Sequence, residues 1–396
     1  MTRIGVRFNH PLIATDPLWS GGRRPEPSPG IDKPETGGWK VEDRIDFLKA
    51  LLDEPGPSGF EVRPARVWRK EAARFADRIW SDVHGNSYAV LGESRRPLIM
   101  LAGHVDEIGL QVTHVDKEGF LYLDGIGGWD SQVLVGQRVR ILGRDGDVPG
   151  VIGKKPLHLM KPEERKKVSE IRHLWIDVGA SSREEVGELG IRVGDAAVLS
   201  QGFQRLAGDR IAARALDNRV GAFVVLEALR LLREDPPAHA GAVAVATSQE
   251  EIGFSGGGAR SAAFHLEPDA ALVVDVTFAT DVPDGQKKEV GEHSLGGGPV
   301  ITRGSAVHPQ VAEHLLAAAE AQEIAVTLHA SPRGTYTDAD GIFLVRSGVP
   351  TGVVSIPNRY MHSPSEMVSL GDLEKAAQLL AAFVRSLDSD TSFVQE

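Results

Sequence analysis

Ionisable residues stand at or just beyond the ends of four strongly apolar segments of this 396-residue chain. The segments are 97–102, 241–247, 269–276 and 351–356, and the ionisable residues are His104, Asp106, Glu250, Glu251, Asp275 and His362. Carboxylates at such density repel one another, and bound divalent cations remove that repulsion. The set therefore indicates a metal site, and Asp217, near the start of an amphipathic segment, is a further member of it.

Each of these residues also has a purely structural explanation. His104 fits a buried, hydrogen-bonded histidine, and Asp217 fits a helix N-cap. Glu250 and Glu251 fit a solvated surface pair, although a fully apolar strand precedes them. A structural explanation would have to hold separately for every member of the set, so the set as a whole favours a functional site.

The elements that must position these residues belong to a layered α/β fold. Apolar segments without alternation are typical of strands that helices cover on both faces, and helical patterns at 214–233, 308–322 and 370–387 separate or follow them. Ser369 and Asp372 have the spacing of a capping box at the start of the last helix. Parallel strands would bring the ionisable residues to one rim, because ligands bind at the carboxyl ends of open α/β sheets.

Residues 118–205 have a different pattern, with short β-rich pieces between Gly, Pro and charged turns, which favours a small barrel or sandwich. Since α/β sequence lies on both sides, we expect an inserted β domain. Residues 1–40 are too rich in Pro and Gly to form a core. The predicted division is a flexible extension at 1–41, a catalytic α/β domain at 42–117 and 206–388, the inserted domain at 118–205, and a tail at 389–396.

Composition excludes several classes of function. The chain has no cysteine, so it has no disulfide, no Cys-ligated metal and no cysteine nucleophile. Its 55 acidic and 44 basic residues argue against nucleic acid or an anionic membrane surface as a partner. No secretory signal and no apolar stretch of membrane-spanning length is visible, so we expect a cytoplasmic protein.

Five motifs, in order GHVDEIG, ALDNRVG, TSQEEIGFSGG, VVDVT and YMHSPSE, resemble those of the M42 family of dinuclear metallo-aminopeptidases, which includes the tetrahedral aminopeptidases. The resemblance extends over about 43–388. It implies an α/β fold, with a mixed sheet covered by helices as in zinc peptidases and an inserted small β-barrel that mediates oligomerisation. It also implies short peptide substrates and a homo-oligomer built from dimers, up to a dodecamer.

The same resemblance implies a role for each site residue. His104 and Asp275 would bind one divalent ion, Glu251 and His362 the other, and Asp217 both. Asp106 would orient His104, and Glu250 would be the general base. Zinc is the ion we expect, with cobalt or manganese as alternatives, because imidazole and carboxylate ligands do not separate these metals. The sequence does not indicate which substrate side chain is preferred.

Three other functions remain open from the residues. A serine hydrolase would use Ser255, Asp338 and His362, since Gly253–Gly257 fits G-x-S-x-G, but Ser255 lies well beyond the strand end where that nucleophile belongs. A glycosidase would use paired carboxylates, yet its two must flank a bond, and Glu250 and Glu251 are adjacent. A non-enzymatic binding protein would not need the complete set of ligands and base.

Overall fold

The computed structural model describes residues 41–253 and 257–395. The predicted extension, except for Val41, and Ser255 of the serine-hydrolase alternative lie outside these residues. In chain order the strands are β1 (Arg78–Ser81), β2 (Ser87–Leu91), β3 (Leu98–His104), β4 (Gly109–Val115), β5 (Leu121–Ile126), β6 (Arg138–Gly143), β7 (Gly146–Gly153), β8 (Trp175–Asp177), β9 (Ala196–Leu199), β10 (Gln204–Arg205), β11 (Arg210–Ala213), β12 (Gly241–Thr247), β13 (Ala270–Phe278), β14 (Val300–Gly304), β15 (Thr327–Ser331), β16 (Thr351–Asn358) and β17 (Glu366–Ser369).

Helices alternate with these strands in the predicted α/β regions. They are α1 (Ile45–Asp53), α2 (Val62–Ala72), α3 (Pro162–Arg165), α4 (Arg183–Glu188), α5 (Leu216–Glu234), α6 (Gly257–Leu266), α7 (Lys287–Val290), α8 (Pro309–Ala321), α9 (Ala339–Ile342) and α10 (Leu370–Arg385). Short 3₁₀ turns span Val41–Arg44, Ser131–Val133, Leu157–Leu159 and Ile171–His173. Across residues 41–253 and 257–395, no helix combines the length and the apolar character needed to span a membrane.

The main sheet is mixed and has eight strands in the order β1-β2-β12-β3-β13-β16-β14-β15. Its four central strands, β12, β3, β13 and β16, run parallel to one another and are the four apolar segments found in the sequence. The predicted α/β fold is therefore confirmed. Since the four strands are parallel, their carboxyl ends meet at one edge, where the ionisable residues follow.

Helices cover both faces of this sheet because its central strands are apolar on both sides. Ile99 and Leu101 of β3 pack into one core together with α5 and α10, whereas Met100 and Ala102 pack into a second core with α6 and α9. This alternation follows from the two-residue period of a strand, which sends successive side chains to opposite faces. The resulting three-layer arrangement packs the central strands on both faces.

A closed six-stranded barrel in the order β4-β5-β8-β7-β6-β9 is inserted between β3 and β11. It encloses its own core, which includes Leu110, Val139 and Ile176. The inserted β-barrel is thus confirmed as part of the fold. Its first strand, Gly109–Val115, begins before the predicted domain start at 118, because turn-rich composition appears only after that strand. The exact domain limits stay a prediction.

A third, three-stranded sheet in the order β10-β11-β17 joins two segments that lead to the rim. Ala213, at the end of β11, lies opposite Glu366, the first residue of β17. The helix predicted after β17 is present as α10, but its capping box is not. The Asp372 carboxylate accepts hydrogen bonds from the backbone N–H groups of Gly296 (2.8 Å) and Gly298 (2.8 Å) instead, and the Ser369 hydroxyl donates to Asp209, so both side chains have partners outside the helix start.

Candidate metal centre

The sheet brings the seven predicted residues to one rim. His104 is the last residue of β3 and lies in register with Thr247 at the end of β12, which places the following Glu250 and Glu251 beside it. Asp275 lies within β13, and Asp217 lies in the first turn of α5. His362 follows β16 in a loop. All seven residues therefore converge, as parallel strands predict.

The Asp217 carboxylate divides the centre into two halves. Its Oδ1 atom lies 3.3 Å from Nε2 of His104, which in turn lies 3.8 Å from Oδ1 of Asp275. Its Oδ2 atom lies 3.3 Å from Nε2 of His362, and that nitrogen also lies 3.3 Å from Oε2 of Glu251. We call His104, Asp275 and Asp217 Oδ1 the closed half, and Glu251, His362 and Asp217 Oδ2 the open half.

The histidines of the two halves differ in exposure. The side chain of His104 is 2% exposed, whereas that of His362 is 33% exposed. A cavity of about 540 Å³ opens beside Glu250 and Glu251 and is also lined by Tyr336 and Thr337. A substrate can therefore approach the open half, while the strands cover the closed half.

The spacing of these atoms fits bound divalent ions. Imidazole and carboxylate ligands lie about 2.0–2.2 Å from zinc, so ligand atoms on a tetrahedral zinc are about 3.3–3.6 Å apart. The separations of 3.3–3.8 Å match those edges better than they match hydrogen bonds of about 2.7–3.2 Å. His104, Asp217 and Glu251 form one group with ligand atoms within 4.8 Å of one another, and Oε1 of Glu251 is buried without a hydrogen-bond partner. The residues present fit divalent metal ions.

Asp106 contacts His104 of the closed half and the backbone of Glu250 and Glu251. It lies 3.4 Å from Nδ1 of His104 and accepts a hydrogen bond of 2.6 Å from the hydroxyl of Ser58. It also accepts bonds of 3.2 Å from the backbone N–H groups of Glu250 and Glu251. Burial alone would raise the pKa of Asp106, but His104 and Ser58 outweigh it and lower the pKa. These neighbours favour the ionised carboxylate, which contacts three residues of the centre.

Glu366 was assigned no role from the sequence, although it ends the motif that contains His362. It is buried, and its Oε2 atom accepts a 2.7 Å hydrogen bond from the backbone N–H of Asp217. Its Oε1 atom accepts a 3.1 Å bond from the backbone N–H of His362. The one sequence feature that could have drawn attention to Glu366 was its position four residues after His362 in the same motif. The sequence contained no sign of the contact between Glu366 and Asp217.

The protein's own groups strongly perturb the acid–base behaviour of the centre. Burial, with added effects of Asp275 and Asp338 and against the effect of His104, raises the pKa of Glu250 to about 10. Burial would lower the pKa of His362, but Asp217 and Glu251 raise it to about 11. These groups hold protons that the charge of a divalent ion would displace.

Asp338 and His362, the two described residues of the serine-hydrolase alternative, are not paired as in a triad. A triad needs its carboxylate hydrogen-bonded to the histidine. The buried Asp338 instead accepts a 2.5 Å bond from the hydroxyl of Thr247, while His362 faces Asp217 and Glu251. Burial is the main cause that raises the pKa of Asp338 to about 7. Asp338 thus belongs to the wall of the centre.

Comparison with known proteins agrees with this geometry. The sequence profile of the family described as M42 glutamyl aminopeptidase matches residues 85–379. The lysyl aminopeptidase of Pyrococcus furiosus is 37% identical over 345 residues, which cover 86% of this chain and 97% of that enzyme.

Two solved structures are also similar over most of their length. A TET aminopeptidase from a marine-sediment Thaumarchaeota archaeon is 36% identical with a TM-score of 0.83, covering 88% of this chain and 97% of that chain. The TET1 peptidase of Pyrococcus horikoshii, which can assemble into a tetrahedron or a large octahedral shell, is 32% identical with a TM-score of 0.76, covering 87% and 99%. Sequence and structure therefore agree on one family.

Proposed function

This chain belongs to the M42 family of aminopeptidases, and from that premise we propose that it removes N-terminal residues from short peptides with a dinuclear metal site and Glu250 as general base. The observation that carries the proposal is the position of the two Asp217 oxygens, each 3.3 Å from a different histidine. One carboxylate facing two imidazoles in this way suits a ligand shared by two ions.

Each half of the centre would hold one ion. His104, Asp275 and Asp217 would bind the first, and Glu251, His362 and Asp217 the second. Zinc is the ion we expect, with cobalt or manganese as alternatives, since the ligands are imidazoles and carboxylates. When bound, the ions supply Lewis acidity for the peptide carbonyl and for the attacking water.

Glu250 would carry the proton of the reaction. Its Oε2 atom lies 3.7 Å from Nε2 of His104, so its carboxylate lies at the edge of the centre next to the cavity. There it would accept the proton of the attacking water and donate it to the nitrogen of the departing amine. Asp106 would hold Glu250 in place by accepting the backbone N–H of Glu250. It would also fix the ring of His104 through the Nδ1 atom of that ring.

The substrate's free amino group would bind at the open half, because that half adjoins the cavity. Carboxylates there would attract a protonated amine, which makes an exopeptidase a better fit than an endopeptidase. By analogy with the assembling TET1 peptidase, we propose a homo-oligomer built from dimers, up to a dodecamer, and its mass by light scattering tests this. The absence of nucleic-acid and membrane partners and a cytoplasmic location stay predictions.

Replacement of the base tests the mechanism. Glu250→Gln should keep two ions per chain and lower kcat by about 10²–10⁴, because the amide cannot accept the water's proton. Aminoacyl-nitroanilide hydrolysis gives kcat, and elemental analysis gives the ions. Glu313→Gln, which changes a surface glutamate paired with Arg303, is the matched control and should leave both unchanged. Near-normal kcat for Glu250→Gln would remove Glu250 as the base.

Chelation tests the class of enzyme. Chelator-treated protein should lose peptide hydrolysis and regain it with zinc, cobalt or manganese, and comparison of the three identifies the preferred ion. Hydrolysis that resists chelation but stops with a serine-directed phosphonate would favour the serine hydrolase. Hydrolysis of a β-glucan in place of the nitroanilides would favour the glycosidase, and no divalent ion after repletion would favour the binding protein.

A further inference from the structure

Glu366 lies at the junction of two chain segments that meet only in the folded protein. As the first residue of β17, it pairs with Ala213 at the end of β11, and β11 leads directly to Asp217. Through the loop on its other side it follows His362 by four residues. The three-stranded sheet therefore holds the Glu366 side chain between Asp217 and His362.

Both oxygens of Glu366 are used on residues of the open half. One accepts the backbone N–H of Asp217 at 2.7 Å, and the other accepts that of His362 at 3.1 Å. Neither N–H takes part in a strand, since Asp217 is in the first turn of α5 and His362 is in a loop. The two bonds fix the backbone from which two of the three open-half ligands project.

His362 needs such support more than most residues. Its φ angle is +57°, in the left-handed region that side chains other than glycine rarely adopt. A backbone of this kind persists only where its surroundings determine it, and such positions cluster at functional sites. The bond from the His362 N–H to the buried Glu366 carboxylate is one contact that determines it.

The charges around Glu366 also relate it to metal ions. The neighbours that act on it most strongly include the carboxylates of Asp217 and Glu251. A buried carboxylate beside two others is costly unless cations offset it. Two divalent ions in the adjoining halves would provide that compensation.

We propose that Glu366 is a positioning residue that holds Asp217 and His362 in the geometry that binds the second ion, an inference that rests on the proposed dinuclear function. Two of the three open-half ligands depend on Glu366, whereas only Asp217 among the closed-half ligands does. Loss of Glu366 therefore weakens the second ion much more than the first.

The test compares Glu366→Gln with Asp372→Asn. Asp372 is the matched control because it too is a buried carboxylate that accepts two backbone N–H groups, those of Gly296 and Gly298, and it contacts none of the predicted ligands. Each neutral amide keeps the size of its carboxylate but presents an N–H group to one of the two donors. Both variants should lose similar thermal stability.

Metal binding separates the two variants. Zn²⁺ titration of chelator-treated protein by calorimetry should give a second ion bound about 10–100-fold more weakly in Glu366→Gln, the range typical of groups that orient metal ligands, and a smaller change for the first. Co²⁺ absorption should show the altered second site directly. In Asp372→Asn both ions should bind as in the unsubstituted protein. Saturating metal should restore much of the activity of Glu366→Gln.

Two results would overturn the proposal. The role of Glu366 would be structural alone if the Glu366→Gln protein bound both ions with unchanged affinity while losing as much thermal stability as Asp372→Asn. Equal weakening of both ions would also contradict it. If Glu366→Gln does not fold, Glu366→Asp takes its place, because the shorter carboxylate can reach at most one of the two N–H groups and should weaken the second ion by a smaller factor.

The unsubstituted protein distinguishes this proposal from the proposed function. If it binds no divalent ion and hydrolyses no peptide, the dinuclear function itself fails. If it binds two ions and hydrolyses peptides, but Glu366→Gln does so with the same affinities, only the role of Glu366 fails.

Discussion

The closed and open halves of the centre are built in different ways. His104 ends a central strand and Asp275 lies inside the next one, so hydrogen bonds of the sheet fix the closed half. Glu251 and His362 lie in loops beyond their strands, and His362 has a left-handed backbone. The comparison teaches that a sheet can position ligands only up to its edge. Beyond the edge other groups must hold the backbone.

Two buried carboxylates hold the backbone beyond the edge of the sheet, and both do so by accepting hydrogen bonds from backbone N–H groups. Asp106 accepts the N–H groups of Glu250 and Glu251, and Glu366 accepts those of Asp217 and His362. Asp106 has additional support from the Ser58 hydroxyl and the His104 ring. The half that faces the cavity therefore depends on side-chain contacts to its backbone rather than on strand pairing, and its geometry is the easier one to disturb.

Asp217→Asn should have the largest effect, because Asp217 is the one residue with an oxygen in each half. We expect both ions to bind on the order of 100-fold more weakly or worse, beyond the loss caused by removing a group that only orients a ligand. Calorimetric titration and elemental analysis measure this. Asp275→Asn is the control, since it should weaken only the closed half. Two tightly bound ions in Asp217→Asn would end the description of one shared ligand.

The pH dependence of metal binding sharpens the comparison. His362 has its pKa raised to about 11, so it holds a proton at neutral pH until an ion displaces it. The proton displaced from His362 makes the affinity of the open half rise about tenfold per pH unit below that pKa, and the slope is steeper below about pH 7, where Glu251, whose pKa burial raises to about 7, also holds a proton. Mn²⁺ titrations at pH 6.5, 7.5 and 8.5 measure the slope. His362→Gln should bind the second ion weakly, with a slope lower by one proton, and an unchanged slope would contradict the assignment.

The raised pKa of His362 also determines the direction in which the stability of the fold changes with pH. A histidine whose pKa is raised on folding stabilises the fold fully below its unfolded pKa of about 6.5, and this contribution is lost as the pH rises through about 11. Chelator-treated protein should therefore unfold more readily at pH 10 than at pH 7. The metal-loaded protein should change less, because the ions have already replaced the proton. Thermal unfolding of both forms provides the check.

Ser58→Ala should have the smallest effect, because Asp106 keeps its other contacts. Loss of a buried hydrogen bond to a charged group lowers the free energy of unfolding by about 1.5–3 kcal/mol. Metal binding should weaken by no more than about tenfold, at the low end for orienting groups. Ser248→Ala is the control, since its buried hydroxyl donates to the backbone carbonyl of His84. If Ser58→Ala weakened metal binding more than Glu366→Gln does, the open half would not be the half that is easier to disturb.

Much of the fold followed from residue patterns. Apolar segments without alternation identified the four central strands, and their parallel pairing confirmed the α/β fold. Residue patterns were less informative where a side chain's hydrogen-bond partner in the backbone decides the local structure. The capping box at Ser369 and Asp372 was wrong, because Asp372 binds a loop that is distant in sequence. The first barrel strand, Gly109–Val115, begins before the predicted domain limit at 118, because it lacks the turns that mark the later β segments, and the domain limits stay a prediction.

The sequence by itself determined which chemistry the rim can perform. Without cysteine, only imidazoles and carboxylates remain as strong metal ligands, and their positions beyond apolar strands predicted that they would converge. Only the tertiary structure decided which oxygen faces which ring, which half is open to the cavity, and that Glu366 joins Asp217 to His362. The physical reason is that a carboxylate finds its backbone donors through space, and residues 217 and 366 come together only when β11 pairs with β17.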